Sequence, residues 1–149
     1  MKKQSLRIFL MFGLFSILAV SSIQAQSNAT LRADIPFSFT VGNKTFPAGG
    51  YRVERLNPSS PQAILALKSV DGRTSVILLT RDVEGARAQE KAKLVFNQYG
   101  DQYHLFQIWR PSDNIGLEIP KSRSERMLAR DAGERAPVRT AIALSSRPR

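Results

Sequence analysis

Leu31-Arg32-Ala33-Asp34-Ile35-Pro36-Phe37-Ser38-Phe39-Thr40-Val41 decides the fold class. Leu31, Ala33, Ile35, Phe37, Phe39 and Val41 occupy alternate positions, with Arg32, Asp34, Ser38 and Thr40 between them. Successive side chains of a strand point to opposite faces, so this pattern of period two predicts a half-buried β-strand. Pro36 cannot donate to a ladder, which places it at an edge or a bulge.

Downstream the same grammar repeats. Gly42-Asn43-Lys44 and Pro47-Ala48-Gly49-Gly50 are turn chemistry around a short extended piece at Thr45-Phe46. Tyr51 and Val53 continue as a strand, and Asn57-Pro58-Ser59-Ser60-Pro61 is a loop. Residues 63–70 and 74–80 are apolar strand candidates joined by Asp71-Gly72, a two-residue hairpin signal. Residues 81–90 are charged and read as a loop or one helical turn. Residues 93–99 and 103–109 form a hairpin around Gly100-Asp101-Gln102, rich in aromatic side chains, and residues 115–119 give a last short strand. About seven short strands with turns between them predict a mostly β fold, an antiparallel β-sandwich or a small barrel.

The period changes at residue 121. Ser122-Arg123-Ser124-Glu125 matches a capping box, in which the Ser oxygen and the Glu carboxylate each satisfy a free backbone N–H. It predicts one short C-terminal helix within residues 121–135, stopped at Gly133. Residues 136–149 read as a basic tail: Val138, Thr140, Ile142 and Leu144 alternate as an edge strand would, and residues 145–149 look disordered. The β-rich domain is therefore expected over residues 31–120.

Upstream of that domain lies a different kind of segment. Lys2, Lys3 and Arg7 precede an apolar run over residues 8–20, followed by the small residues before Ala25. Basic, apolar and small in that order is a secretory signal peptide over residues 1–25, with cleavage expected after Ala25. The run is short of the roughly 20 apolar residues a spanning helix needs. The expected product is soluble, secreted or periplasmic. The chain holds no Cys, so disulfides, thiolate metal sites and thiol catalysis are excluded.

The formal charge of +10 is unevenly spread, and losing Lys2, Lys3 and Arg7 with the leader reduces it to +7. Residues 121–149 hold eight basic and three acidic residues, a net +5, so most of the excess sits at the C-terminal end. Such a segment attracts anionic partners over long range.

No catalytic constellation stands out. His104 is the only histidine, and sequence supplies no group to orient it. It is expected to face solvent or a sheet neighbour. Asp71, Asp101 and Asp113 each sit in a turn, where Asp has a local structural reason to be. No catalytic, cofactor-binding or metal-binding residue is assigned. Two candidate binding surfaces remain. Tyr99, Tyr103 and Trp109 suit stacking on sugars or lining an apolar cleft, or simply core packing. Arg123, Arg126 and Arg130 fall at helical spacings of three and four, so one helix face gathers them. They suit phosphate or an acidic polysaccharide. Export argues against nucleic acid.

Three segments carry a resemblance: Ile35-Pro36-Phe37-Ser38-Phe39-Thr40-Val41-Gly42 with Pro47-Ala48-Gly49-Gly50-Tyr51-Arg52-Val53; Lys93-Leu94-Val95-Phe96 through Tyr99-Gly100-Asp101-Gln102-Tyr103 to Ile108-Trp109; and Gly116-Leu117-Glu118-Ile119-Pro120-Lys121-Ser122-Arg123. Over residues 33–128 the chain resembles a group of small, secreted, uncharacterised bacterial proteins. Gly50 departs from the polar residue expected before the Tyr. The resemblance implies export and a β fold, and it transfers no reaction and no site residue. The sequence thus points to an exported, non-enzymatic β-domain that binds or builds structure in the cell envelope or outside it. The alternatives are a carrier with a β-barrel cavity for a small apolar ligand and a carboxylate-based hydrolase.

Overall fold

The computed structural model describes residues 30–133 and 136–146. The expected leader over residues 1–25 lies outside them. The described residues form a two-sheet β-sandwich of twelve strands with one short helix. The strands are β1 (Leu31–Ile35), β2 (Phe39–Val41), β3 (Lys44–Phe46), β4 (Gly49–Arg55), β5 (Ile64–Ser69) and β6 (Ser75–Leu79). They continue as β7 (Arg81–Glu84), β8 (Lys93–Tyr99), β9 (Gln102–Trp109), β10 (Ile115–Glu118), β11 (Val138–Ala143) and β12 (Ser145–Ser146), with helix α1 (Arg123–Asp131) before β11.

One sheet has five strands in the order β12-β1-β4-β5-β6. The other has seven: β11-β8-β9-β10-β7, with the β2–β3 hairpin added where β2 runs parallel to the start of β9. Every other pairing is antiparallel. The inward faces of both sheets supply the core. Ile35, Phe39, Phe46, Tyr51, Leu67, Leu94, Phe96 and Ile108 are each at most 2% exposed. Burying one such side chain contributes about 1.5–3 kcal/mol, which is how a chain without Cys holds together.

The alternation over residues 31–41 is real, but it belongs to two strands rather than one. Pro36-Phe37-Ser38 breaks the ladder, β1 stays in the five-stranded sheet, and β2 joins the other. Proline removes the N–H that a continuous strand would need there. The chain switches sheets twice more without a turn. Thr80, 1% exposed, separates β6 from β7, and its hydroxyl donates to the Ala63 carbonyl at 2.8 Å. Leu144, 8% exposed, separates β11 from β12, and its N–H donates to the Ala92 carbonyl at 2.8 Å. One continuous stretch of chain therefore lines both sheets at each side of the sandwich. The sheets nevertheless do not close into a barrel.

Several local expectations change. Residues 81–84 are an edge strand, not a loop or helical turn. Their charges point to solvent or pair across the sheet, as Arg81 does with Glu118 at 2.8 Å. The β8–β9 connection is two residues, Gly100-Asp101, because Tyr99 and Gln102 already pair. Gly100 takes φ 59°, the left-handed conformation such a tight turn requires. The β5–β6 connection is longer than two residues, because Ser69 N–H donates to the Thr74 carbonyl and the Ser69 hydroxyl accepts from Thr74 N–H. Ser145 and Ser146, expected to be disordered, pair with Arg32 and Leu31. Residues 138–146 thus edge both sheets, and the basic segment is not a detached tail.

Candidate binding surface

The outward face of the seven-stranded sheet carries most of the molecule's unusual chemistry. Alternation sends Asn97 and Tyr99 of β8 outward, with His104, Gln107 and Trp109 of β9 and Gly116 and Glu118 of β10. A polar ladder crosses three strands there. Trp109 Nε1–H donates to Gln107 Oε1 at 3.2 Å, Gln107 Nε2 donates to Glu118 Oε2 at 3.2 Å, and Arg81 donates to Glu118 Oε1 at 2.8 Å.

Trp109 is buried, but on this outer face and not between the sheets. Its ring lies against Gly116, its cross-strand neighbour, and against Gly85. A Cβ at Gly116 would stand 2.8 Å from the indole, and one at Gly85 would stand 2.9 Å away. Two glycines thus form a flat seat that no other residue fits. Tyr103 faces inward and stacks on Phe37 with ring centroids 3.9 Å apart. Tyr99 is half-buried, its hydroxyl 3.4 Å from Glu125 Oε1. The three aromatic candidates are therefore not brought together on one surface, and each has a packing partner.

Helix α1 sits over the other end of this face. Ser122 caps it, its hydroxyl accepting from Glu125 N–H at 3.1 Å. The second half of the expected capping box is used differently. The Glu125 carboxylate turns into the sheet, is 4% exposed, and accepts from Asn97 Nδ2 at 2.9 Å and from the Tyr99 hydroxyl. A buried carboxylate needs such donors, because desolvation without them is costly. Glu125 is the buried anchor of a helix whose other side chains are half-buried or exposed.

His104 stands beside this anchor. It is the cross-strand partner of Asn97 and meets Tyr99 edge to face at 5.8 Å. It is 3% exposed, so of the two expected settings it takes the sheet neighbour and not solvent. Its Nε2 and the Asn97 Oδ1 have no protein hydrogen-bond partner. Burial pushes the imidazole pKa below its ordinary value, and the Glu125 charge pulls it partly back.

The helix presents the basic candidates outward. Arg123, Arg126 and Arg130 are all exposed. Arg126 reaches back to the Lys121 carbonyl at 3.3 Å. Because Glu125 is spent inside, Asp131 is the only acidic side chain the helix shows to solvent. Glu125 is therefore not an ion-pair partner for these arginines at the surface.

Elsewhere the turn carboxylates do local work. The Ser69 hydroxyl donates to Asp71, which holds that carboxyl below its usual range, and Asp113 accepts from Ile115 N–H at 2.9 Å. Among the described residues no three His, Asp or Glu side chains gather into a metal-holding group. An open cleft of about 630 Å³ lies between the loop after β7 and β11, lined by Arg87, Glu90, Lys91, Lys93 and Ala141 among others. Its lining mixes Arg87, Glu90, Lys91 and Lys93 with alanines, and it is open to solvent, unlike an enclosed apolar ligand cavity. Among the described residues no helix is long and apolar enough to cross a membrane. No protein-family model, curated protein or solved structure matches the chain.

Asn97 and Glu125 were missed as a pair by sequence reasoning. The signal in the sequence was weak: Asn97 follows the apolar run Leu94-Val95-Phe96, but Lys93 and Gln98 beside that run are polar as well.

Proposed function

We propose that this is an exported, non-enzymatic binding module that docks on an anionic envelope surface through helix α1. The leader pattern supports export. The filled space between the sheets supports a scaffold rather than a carrier. The observation that carries the reading is the burial of Glu125: it holds the helix to the sheet and leaves Arg123, Arg126 and Arg130 exposed on one helix face without this carboxylate as a surface ion-pair partner. Guanidinium groups pair bidentately with phosphate, and three on a fixed face bind better than three on a flexible arm.

The test is sedimentation of the exported protein with phosphatidylglycerol vesicles and with phosphatidylcholine vesicles. Removing residues 121–149 is the wrong variant, because β11 and β12 edge both sheets. The triple change Arg123→Gln, Arg126→Gln, Arg130→Gln leaves the fold intact. Each basic residue near an anionic surface contributes about 1 kcal/mol, so the triple variant should bind on the order of a hundredfold more weakly. Wild-type binding should also collapse in high salt. Equal binding to both vesicle types, or no loss in the triple variant, refutes the reading.

A further inference from the structure

The open cleft between the loop after β7 and β11 has walls that are held in place. Gln89, half-buried, is the pivot of the loop. Its N–H donates to the Asp113 carbonyl at 3.0 Å, and its carbonyl accepts from Ser112 N–H at 2.7 Å. Gly85 N–H donates to the Asn114 carbonyl at 2.7 Å, and Leu144 N–H donates to the Ala92 carbonyl at 2.8 Å, so both ends of the loop are tied as well. The residue that holds Gln89 is itself strained: Ser112 takes φ 60°, the only non-glycine with positive φ among the described residues. Such strain persists only where the surroundings enforce it, and it gathers at ligand clamps. A pre-formed cleft also spares a ligand the cost of ordering its walls.

The wall on β11 narrows the class of ligand. Ala141 and Ala143 line the cleft, and Ile142 between them does not. The strand therefore offers a side-chain face carrying nothing longer than a methyl group, and not its backbone edge. A peptide finds no ladder partner there. The C–H face of a sugar ring can lie flat on it. The charges narrow the class further. Arg87, Lys91 and Lys93 stand against a single carboxylate, Glu90. The ion pairs among the described residues are Lys68–Glu54, Arg73–Asp71, Arg81–Glu118 and Arg110–Asp113, so none of the four charges in the cleft is spent in one. Gln89 donates its Nε2–H to the Arg87 carbonyl at 3.0 Å and keeps Oε1 as an acceptor. A polyphosphate would meet Glu90 as a like charge. A sugar acid matches both kinds of group, since its carboxylate pairs with a cation and its hydroxyls donate to Glu90 and Gln89. The volume of about 630 Å³ suits a short chain of sugars.

We infer that this cleft binds a short acidic oligosaccharide. Lys91 and Lys93 pair with its carboxylates, Glu90 accepts from its hydroxyls, and a ring rests on Ala141 and Ala143. The site is separate from that of α1: Lys93 opens β8, whereas α1 is anchored on Asn97, further along the same strand.

The probe is tetragalacturonate, titrated calorimetrically into the protein at low salt. Saturable binding is expected. Its fully methyl-esterified form keeps the rings and hydroxyls without the charge and should bind at least about tenfold more weakly, and so should tetragalacturonate with the double variant Lys91→Gln, Lys93→Gln. Ala141→Phe fills the cleft, removes no charge, and should match that loss. The methyl ester leaves the protein untouched, so the test survives if a variant misfolds. The triple variant Arg123→Gln, Arg126→Gln, Arg130→Gln should bind the tetramer as the wild type does, which separates this site from docking through α1. Absence of saturable binding, equal affinity for the methyl ester, unchanged affinity in Ala141→Phe, or loss of binding in the α1 variant overturns the inference. So does hexaglutamate binding as tightly as tetragalacturonate, which would make the occupant an acidic peptide.

Discussion

On the outer face of the seven-stranded sheet Trp109 is 7% exposed, while on the outer face of the five-stranded sheet Ile77 is 66% exposed. Both are large apolar residues on strands that look away from the core. The first is sealed by two glycines, a glutamine and the loop after β7, which is itself tied down by hydrogen bonds from Gly85 and Gln89 to the Asn114 and Asp113 carbonyls. The second has nothing above it but the Ala66 and Ile64 side of β5. Sealing a face takes specific residues at fixed places. The seven-stranded sheet has them in Gly116, Asn97, Glu125 and Trp109, and the corner of the five-stranded sheet has none.

The largest break in that contrast comes from the tryptophan seat. Gly116→Ala puts a Cβ 2.8 Å from the ring carbons of Trp109, and the neighbouring strands leave no space to yield. Overpacking of this kind costs about 1–3 kcal/mol, and we expect the upper end. The chain has a single Trp, so urea unfolding followed by its fluorescence reads both the stability loss and the displaced indole.

Next comes the helix anchor. Glu125→Ala leaves the Asn97 amide and the Tyr99 hydroxyl without their acceptor, at about 1–3 kcal/mol. Glu125→Gln keeps an acceptor and should lose less. Limited proteolysis should cut within residues 121–133 in the Ala variant before it cuts any strand, because α1 is held to the sheet through this residue.

A smaller effect follows from His104. Its folded pKa lies below the unfolded value, so below about 6.5 the unfolded chain binds a proton that the folded one refuses. Stability from this group is complete above that range and falls as pH drops towards the folded pKa. His104→Gln should flatten the thermal-melt dependence on pH just below about 6.5, while the carboxylates act lower. An unchanged slope would show that the ring is not held neutral. Smallest of all is Ile77→Thr, which should change the unfolding free energy read by urea by less than about 0.5 kcal/mol, since its side chain is already in water.

The sequence made the sandwich legible wherever alternation was clean. Leu31, Ala33 and Ile35 face inward as written, and so do Phe96 and Leu105. It was less informative at the sheet crossings. Thr80 and Leu144 look like ordinary strand residues, and only three-dimensional closure shows that the chain changes sheets at them. Charge also misled: Arg81-Asp82-Val83-Glu84 reads as a loop, yet an edge strand tolerates charges on its solvent side. At the candidate surface, helical spacing correctly grouped Arg123, Arg126 and Arg130. Glu125 satisfied a local motif so well that its longer reach to Asn97 went unseen. A residue with two competing partners cannot be assigned from spacing alone.

Residue-resolved amide exchange, read by NMR on the protein without any ligand, tests the contrast between sealed face and open edge most directly. The account predicts fast exchange at Ile77 and Leu79, slow exchange at Val76 and Leu78 between them, and slow exchange throughout the centre of β8 and β9. Uniform protection along β6 would mean that its edge is already paired, and would contradict the account.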